Sequence, residues 1–328
     1  MKRMIIAEIG SVHDGSFRNA IKLVDLAKEC NANVVKFQTH IYDKETLPDA
    51  PSPDYFKEES RYEYFKRTSF SKEQWIELKQ YSKKRKLLFM SSPFSNEAVD
   101  LLESIGIDFY KIPSGEVTNI PMLEKIVETK KPIFLSSGMS NWKELDRAVK
   151  ILKKSNVTIM QCTSMYPCDN KSVGINVIKE MKDRYNLPVG FSDHTGGIAA
   201  ALGAIFNGAS VIEKHITFSK KMYGSDAQFA MEPNDFKRYV KEIKNAWEIF
   251  DNPANKDNLK KFHKMKLIFE KSIVTKYAIQ KDTKLTEENL TFKKPGIGIP
   301  PWKLNELINK KIKRNLPKNT IIRKSDLR

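Results

Sequence analysis

The chain has 328 residues, a formal net charge of +17, 40% apolar residues and three cysteines. This length suits one large domain plus a small one, and the apolar share is enough for a proper core. No run of 18 apolar residues occurs, which argues against a membrane-spanning helix, and Cys30, Cys162 and Cys168 fit no zinc-ribbon spacing, as expected of free thiols in a reducing compartment.

The opening MKRMIIAEIG is basic and then apolar, but Glu8 breaks the apolar run after four residues, too soon for a signal peptide. We expect a first strand there and a cytoplasmic protein. Near-continuous apolar runs then predict strands over 5–9, 34–39, 87–92, 109–114, 132–137, 158–164, 189–194 and 211–216. Amphipathic stretches predict helices over 18–30, 72–85 (with Ser71 as cap), 97–105, 121–129, 142–154, 177–185, 198–207 and 234–250. Eight βα units in about 250 residues are the arithmetic of a (β/α)8 TIM barrel. The alternative is a doubly wound open sheet, but no GxGxxG follows the first strand.

Two connections are long. Segment 41–71 is polar, with Pro48, Pro51 and Pro53 and the aromatics Tyr55, Phe56, Tyr62, Tyr64 and Phe65, and reads as a lid or binding loop. The other, 218–233, follows the eighth strand. Beyond residue 250 the pattern changes: 251–270 reads as a lysine-rich linker, and 271–328 as a small β-rich module with one helical turn at 302–308. The domains are thus 1–250, 251–270 and 271–328. The lysines are spread along the chain, and runs such as 83–86 and 310–313 are short with few interleaved aromatics. They read as solvated surface rather than a nucleic-acid interface.

Active-site residues of such barrels sit at the C-terminal ends of the strands. Those ends are unusually polar here: Glu8 with His13 beyond; Lys36, Gln38 and His40; Ser91 and Ser92; Lys111, Ser114 and Glu116; Ser136, Ser137 and Gly138; Gln161, Thr163, Ser164 and Tyr166; then Ser192-Asp193-His194 and Glu213-Lys214-His215. Inward-pointing residues are two apart, so Lys36 shares a face with Gln38, Ser192 with His194, and Glu213 with His215. A lone buried lysine is expensive to desolvate. Two of them, Lys36 and Lys111, beside serines and a Gly-containing turn, point to a phosphate or carboxylate between them. The plainer alternative for each lysine is an ion pair with a nearby carboxylate. Two histidines ending adjacent strands can converge on one exchangeable divalent ion completed by oxygen ligands.

Together EIGSVHDG (8–15), VVKFQTH (34–40), SSPF (91–94), YKIPSGE (110–116), LSSGM (135–139), QCTSMYP (161–167), GFSDHT (190–195), IEKHIT (212–217) and GSD (224–226) resemble the sialic acid synthase family. Residues 271–328, with FKKPGIGI (292–299), resemble its C-terminal antifreeze-like (SAF) domain. The resemblance implies condensation of phosphoenolpyruvate (PEP) with the open-chain aldehyde of an N-acylated hexosamine, giving a nine-carbon 2-keto-3-deoxy acid and phosphate. It implies that His194 and His215 hold a divalent metal, Mn2+ first and Mg2+ or Co2+ as alternatives, to polarise the aldehyde. It further implies that Lys36, Ser92, Lys111, Ser114, Ser136, Ser164 and Ser192 bind PEP and that Glu116 and Glu8 move protons. Gln38, Tyr166, Asp226 and Lys294 would face the sugar. The family works as a dimer in which the small domain of one chain caps the other's barrel. At about 3.3 Å per residue the linker permits such a domain-swapped homodimer. The family commonly has Asn where this chain has Val12, often Asn at Ser164, and usually Arg at Lys294, where a lysine lacks the planar fork. N-acetylmannosamine, a 2,4-diacetamido-trideoxy sugar and an unacylated hexose therefore all remain open as acceptors. Two rival readings are a Schiff-base aldolase using Lys111 or Lys36 and a non-catalytic polyanion-binding protein.

Overall fold

The computed structural model describes residues 3–54 and 56–328; Tyr55, noted above in the long connection, lies outside the described residues. Two compact units are present, Met1–Asn252 and Pro253–Arg328. The first is a closed barrel of eight parallel strands, each hydrogen-bonded to its sequence neighbour, with the first pairing the eighth. Its elements run β1 (Met4–Gly10), α1 (Phe17–Glu29), β2 (Val34–Thr39), α2 (Tyr42–Glu45), α3 (Arg61–Thr68), α4 (Lys72–Lys84), β3 (Leu88–Pro93) and α5 (Asn96–Ile105). They continue as β4 (Phe109–Ile112), α6 (Ile120–Glu128), β5 (Ile133–Ser136), α7 (Trp142–Leu152), β6 (Val157–Gln161), α8 (Asn176–Tyr185), β7 (Val189–Asp193), α9 (Ala199–Phe206), β8 (Val211–His215) and α10 (Pro233–Asp251).

Local chemistry sets the boundaries. Ser71 accepts from the Gln74 N–H while the Gln74 side chain accepts from Ser71 N–H, and Asn141 and Glu144 repeat this reciprocal cap at α7. Ser16 and Ser95 cap α1 and α5. The strands bury both faces, as their unbroken apolar runs require. Their outward residues join the helices in one large core, and their inward residues fill the lower barrel with Met4, Ile6, Val34, Met90, Phe134, Met160 and Val211. Gly190 is part of that filling, because a Cβ there would meet Met160 Sδ at 2.4 Å and Val211 O at 2.8 Å. Higher up, the same inward face turns polar: along β1, Met4 and Ile6 give way to Glu8. The fold therefore supplies a solid apolar plug below and a charged floor above it.

Three features differ from the sequence reading. The connection 41–71 carries α2 and α3 and packs Phe56, Tyr64 and Phe65 into a cluster of their own with Tyr42. β4 ends at Ile112 rather than 114: Pro113 lacks the ladder N–H, and 114–116 turn into a 3-10 helix. The lysine-rich stretch read as linker contains a 3-10 turn at Lys260–Phe262 and helix α11 (His263–Phe269). The second unit also pairs β9 (Ser272–Thr275) antiparallel with β10 (Leu290–Lys293), and carries the short helix α12 (Leu304–Leu307). Its core is built on Ile273, Leu285, Leu290, Ile312, Leu316 and Ile322. Among the described residues, no helix is long and apolar enough to cross a membrane.

Candidate active site

A cleft of about 580 Å3 opens at the C-terminal ends of the barrel strands. It brings together Glu8, Lys36, Gln38, Ser92, Lys111, Ser114, Ser136, Ser164, Tyr166, Ser192, His194, His215 and Asp226. One expected residue of the barrel unit is not on its wall. Glu116 sits in the 3-10 turn after β4, where its Oε2 accepts from Asn119 Nδ2 at 2.7 Å and burial raises its pKa. Lys294 lies in the second unit, exposed, with its ammonium 5.0 Å from the centre of the Phe269 ring.

The floor of the cleft is a four-charge network. Lys111 Nζ donates to both oxygens of Glu213, at 2.7 and 2.8 Å. Lys36 Nζ lies 2.9 Å from Glu8 Oε2 and 3.3 Å from Glu213 Oε1, and Ser192 Oγ donates to Glu213 Oε1 at 2.9 Å. The anion between the two lysines is thus the protein's own Glu213, and each lysine has the carboxylate partner that the plainer sequence reading held open. Burial alone would raise the Glu213 pKa, but the Lys111 ammonium and then Lys36 hold it well below the carboxylate range. Burial lowers Lys111, with Glu213 opposing. For Lys36 the fields of Glu213 and Glu8 outweigh burial, and its pKa is raised. Alternation along β8 placed Glu213 on the inward face; the sequence did not show that it bridges both lysines.

Hydroxyls and a backbone N–H surround this floor. Ser92 Oγ is buried without a hydrogen-bond partner, a donor held ready for a ligand. Gly138 N donates to Ser114 Oγ at 3.1 Å. A Cβ on Gly138 would meet Ser164 Oγ at 2.4 Å and both Cys162 Sγ and Ser114 Oγ at 2.8 Å, so only glycine lets the turn approach this serine group. Gly10, at φ +53°, does the same on the opposite wall, where a Cβ would meet Asp226 Oδ2 at 2.3 Å and Gln38 Nε2 at 3.1 Å. Asp226 Oδ2 accepts from Ser11 N and Oγ at 3.0 and 3.1 Å. Burial would raise the Asp226 pKa, but His215 and the hydrogen bonds from Ser11 and Ser225 hold it down. Gly10 and Ser11 were not singled out from sequence, because close approach to a neighbour leaves no periodic signal; the Gly138 turn was, as part of the expected anion cradle.

The histidines that end or follow β7 and β8 face each other, with ring centroids 6.0 Å apart. Thr163 O accepts from His194 Nδ1 at 2.8 Å, which leaves Nε2 as the lone-pair nitrogen, 3.4 Å from both Tyr166 Oη and Ser192 Oγ. Burial, reinforced by His215, lowers the His194 pKa to about 3, so the ring is neutral near pH 7. His215 Nδ1 is buried with no partner. A neutral ring with its tautomer fixed by a carbonyl, beside an orphaned imidazole nitrogen, fits a divalent ion completed by water or substrate oxygens. No cluster of three or more His, Cys, Asp or Glu ligands occurs among the described residues. Asp193 points out of the barrel, where it accepts from Thr195 and Tyr239 and pairs with Lys214.

The 41–71 connection supplies the outer wall through Pro53, Phe56, Arg61, Tyr64 and Phe65. Arg67 pins it, pairing with Glu59 and with Asp14 at 2.7 Å beside the Tyr223 ring.

A family model described as the NeuB family matches residues 23–255, and one described as the SAF domain matches residues 270–328. An uncharacterized protein of Methanocaldococcus jannaschii is 36% identical over 98% of this chain and 94% of its own length. The N,N'-diacetyllegionaminic acid synthase of Campylobacter jejuni is 35% identical over 98% and 99%. Among solved structures, the N-acetylneuraminic acid (sialic acid) synthetase from Leptospira borgpetersenii in complex with citrate is similar at a TM-score of 0.71 and 29% identity, covering 80% of this chain and 91% of its own. A polar-mouthed TIM barrel followed by an SAF domain, matched along nearly its whole length by such synthases, belongs to the NeuB family.

Proposed function

We propose that this protein is a PEP-dependent synthase that joins PEP to an N-acylated hexosamine, making a nine-carbon 2-keto-3-deoxy acid and phosphate in the cytoplasm. The observation that carries this reading is one cleft holding two buried lysines beside the unpartnered Ser92 Oγ, a pair of facing histidines and a polar wall. C3 of PEP forms a bond to the aldehyde carbon, water oxygen adds at C2 and becomes the keto oxygen, the C2–O bond to the phosphoryl group breaks, and the two water protons end on the new hydroxyl and on the released phosphate.

Lys36 and Lys111 take the charge of PEP, with Ser92, Ser114, Ser136, Ser164 and Ser192 as hydroxyl donors and Gly138 giving the ligand backbone access. Glu213 holds both ammonium groups before PEP binds and shares them when it arrives. The Glu8–Lys36 pair returns a proton to the new alkoxide oxygen. Gln38, Tyr166 and Asp226 orient the acceptor. Glu116, off the cleft wall, is assigned no step. His194 and His215 would hold Mn2+, or Mg2+ or Co2+, which as a Lewis acid would polarise the acceptor carbonyl. We also propose a homodimer in which Lys294 of one copy serves the cleft of another; a monomeric mass by light scattering contradicts it.

Lys111 favours one second reading, because burial lowers its pKa as a Schiff-base lysine requires. His194→Ala or His215→Ala should abolish phosphate release while the barrel stays folded. Activity that survives EDTA, with borohydride trapping a substrate on Lys111, establishes the aldolase reading instead.

A further inference from the structure

His40 has no part in the chemistry above, yet its side chain is only 6% exposed and lies on the cleft wall. Its neighbours form a chain in which each link fixes the next. Glu8 Oε2 takes the Lys36 ammonium at 2.9 Å, a pairing in which the Glu8 oxygens act as acceptors. Gln38 therefore turns its amide nitrogen to Glu8 Oε1, at 3.0 Å. That leaves Gln38 Oε1 facing His40 Nε2 at 3.2 Å, and a carbonyl oxygen also only accepts. Nε2 must carry a proton. His40 Nδ1 then meets Glu45 Oε1 at 2.6 Å, while Glu45 Oε2 accepts from Ile41 N at 3.3 Å.

The same ring is sandwiched between Phe65, at 3.7 Å and 7°, and Phe94, at 4.2 Å and 19°. Phe65 belongs to α3 and Glu45 to α2, both in the 41–71 connection that forms the outer wall. Ser69, at the end of α3, donates from Oγ to the His40 carbonyl at 3.1 Å. Glu116 and His13 are the other titratable groups whose fields reach the ring. One imidazole therefore touches the connection on one face and at Nδ1, Phe94 beyond β3 on its other face, and the acceptor-facing amide at Nε2.

We infer that His40 is a positioning residue: when the 41–71 connection is seated, its imidazole holds Gln38 in the one amide orientation that donates to Glu8, coupling closure of the outer wall to acceptor binding. This rests on the reading of Gln38 as a contact to the acceptor sugar. Without the Nε2 donor, Gln38 is free to flip, and its oxygen would then face the Glu8 carboxylate.

Two measurements on the full chain test it. Long-range 15N–1H spectra of the substrate-free protein at neutral pH, with the His40 signal assigned by its loss in His40→Phe, should show Nε2 protonated; a lone-pair Nε2 overturns the lock. Kinetics follow with whichever N-acylated hexosamine supports turnover. His40→Phe, which keeps an aromatic ring in the stack, and Glu45→Ala, which unties Nδ1 from the connection, should each raise the acceptor KM about tenfold, the scale of one buried hydrogen bond. The KM for PEP should stay within about twofold. Equal losses for both substrates, or none, overturn the coupling. If the parent protein consumes no PEP with any acceptor, the synthase reading fails, while the spectrum alone still decides the lock.

Discussion

Replacing Glu213 by Gln removes one charge and almost no volume from the cleft floor. The change strips Lys111 of its carboxylate partner at 2.7 Å, at a site where that lysine is 1% exposed. Removing one member of a buried ion pair costs ~3–5 kcal/mol, because the charge left behind has lost its solvent as well as its partner. Two features place this case at the lower end: Lys36 keeps Glu8 at 2.9 Å, and the amide oxygen of Gln can still accept from Ser192 or Lys111. We expect a loss of ~3 kcal/mol, read as a lower midpoint with unchanged slope in urea unfolding of the barrel unit. PEP should restore much of it. A ligand at a hundred times its Kd adds about 2.7 kcal/mol by mass action, and here it also gives Lys111 a new anion. An unfolding free energy within ~0.5 kcal/mol of the parent, the ordinary range for surface substitutions, refutes the claim that Glu213 is the counter-ion of the floor.

Gly138→Ala should leave the fold in place and weaken PEP binding by about a hundredfold, since overpacking costs ~1–3 kcal/mol and the clash falls on the serines proposed to bind the anion; calorimetric titration with PEP checks it. Burial lowers His13 from 6.5 to about 4, so the unfolded chain binds more protons between those values. Its contribution is full above pH 6.5 and is lost as pH falls through that window, up to ~3 kcal/mol; His13→Gln should flatten that part of the stability profile, and an unchanged profile contradicts it. Arg67→Ala should loosen the 41–71 connection, seen as faster proteolysis within 46–60 at unchanged barrel stability.

The barrel was legible because each strand is buried on both faces and so reads as an unbroken apolar run, with caps such as Ser71 marking helix starts. Helices α2 and α3 were not. Four and eight residues long, they lie in a polar, proline-bearing stretch, and although α3 buries Tyr64, Phe65 and Thr68 at helical spacing, only two of the three are apolar, too short a pattern to read. The inward alternation placed Lys36, Ser192, Glu213 and His215 on the cleft side. It did not reach Glu116: Pro113 ends β4 two residues before the expected end, and the following turn pairs that carboxyl with Asn119. What a one-dimensional pattern lacks is partner choice across the barrel: Lys111 and Glu213 are 102 residues apart, and their pairing exists only once the sheet closes.

The central claim is that this cleft joins PEP to a sugar aldehyde with loss of phosphate through C–O cleavage. The most direct test incubates the protein with Mn2+, a panel of N-acylated hexosamines and PEP carrying 18O at the bridging oxygen, and analyses both products by mass. The account predicts a nine-carbon acid from at least one acceptor, with the 18O in the released phosphate. Pyruvate in place of the nine-carbon acid, phosphate without the label, or PEP left intact with every acceptor contradicts it.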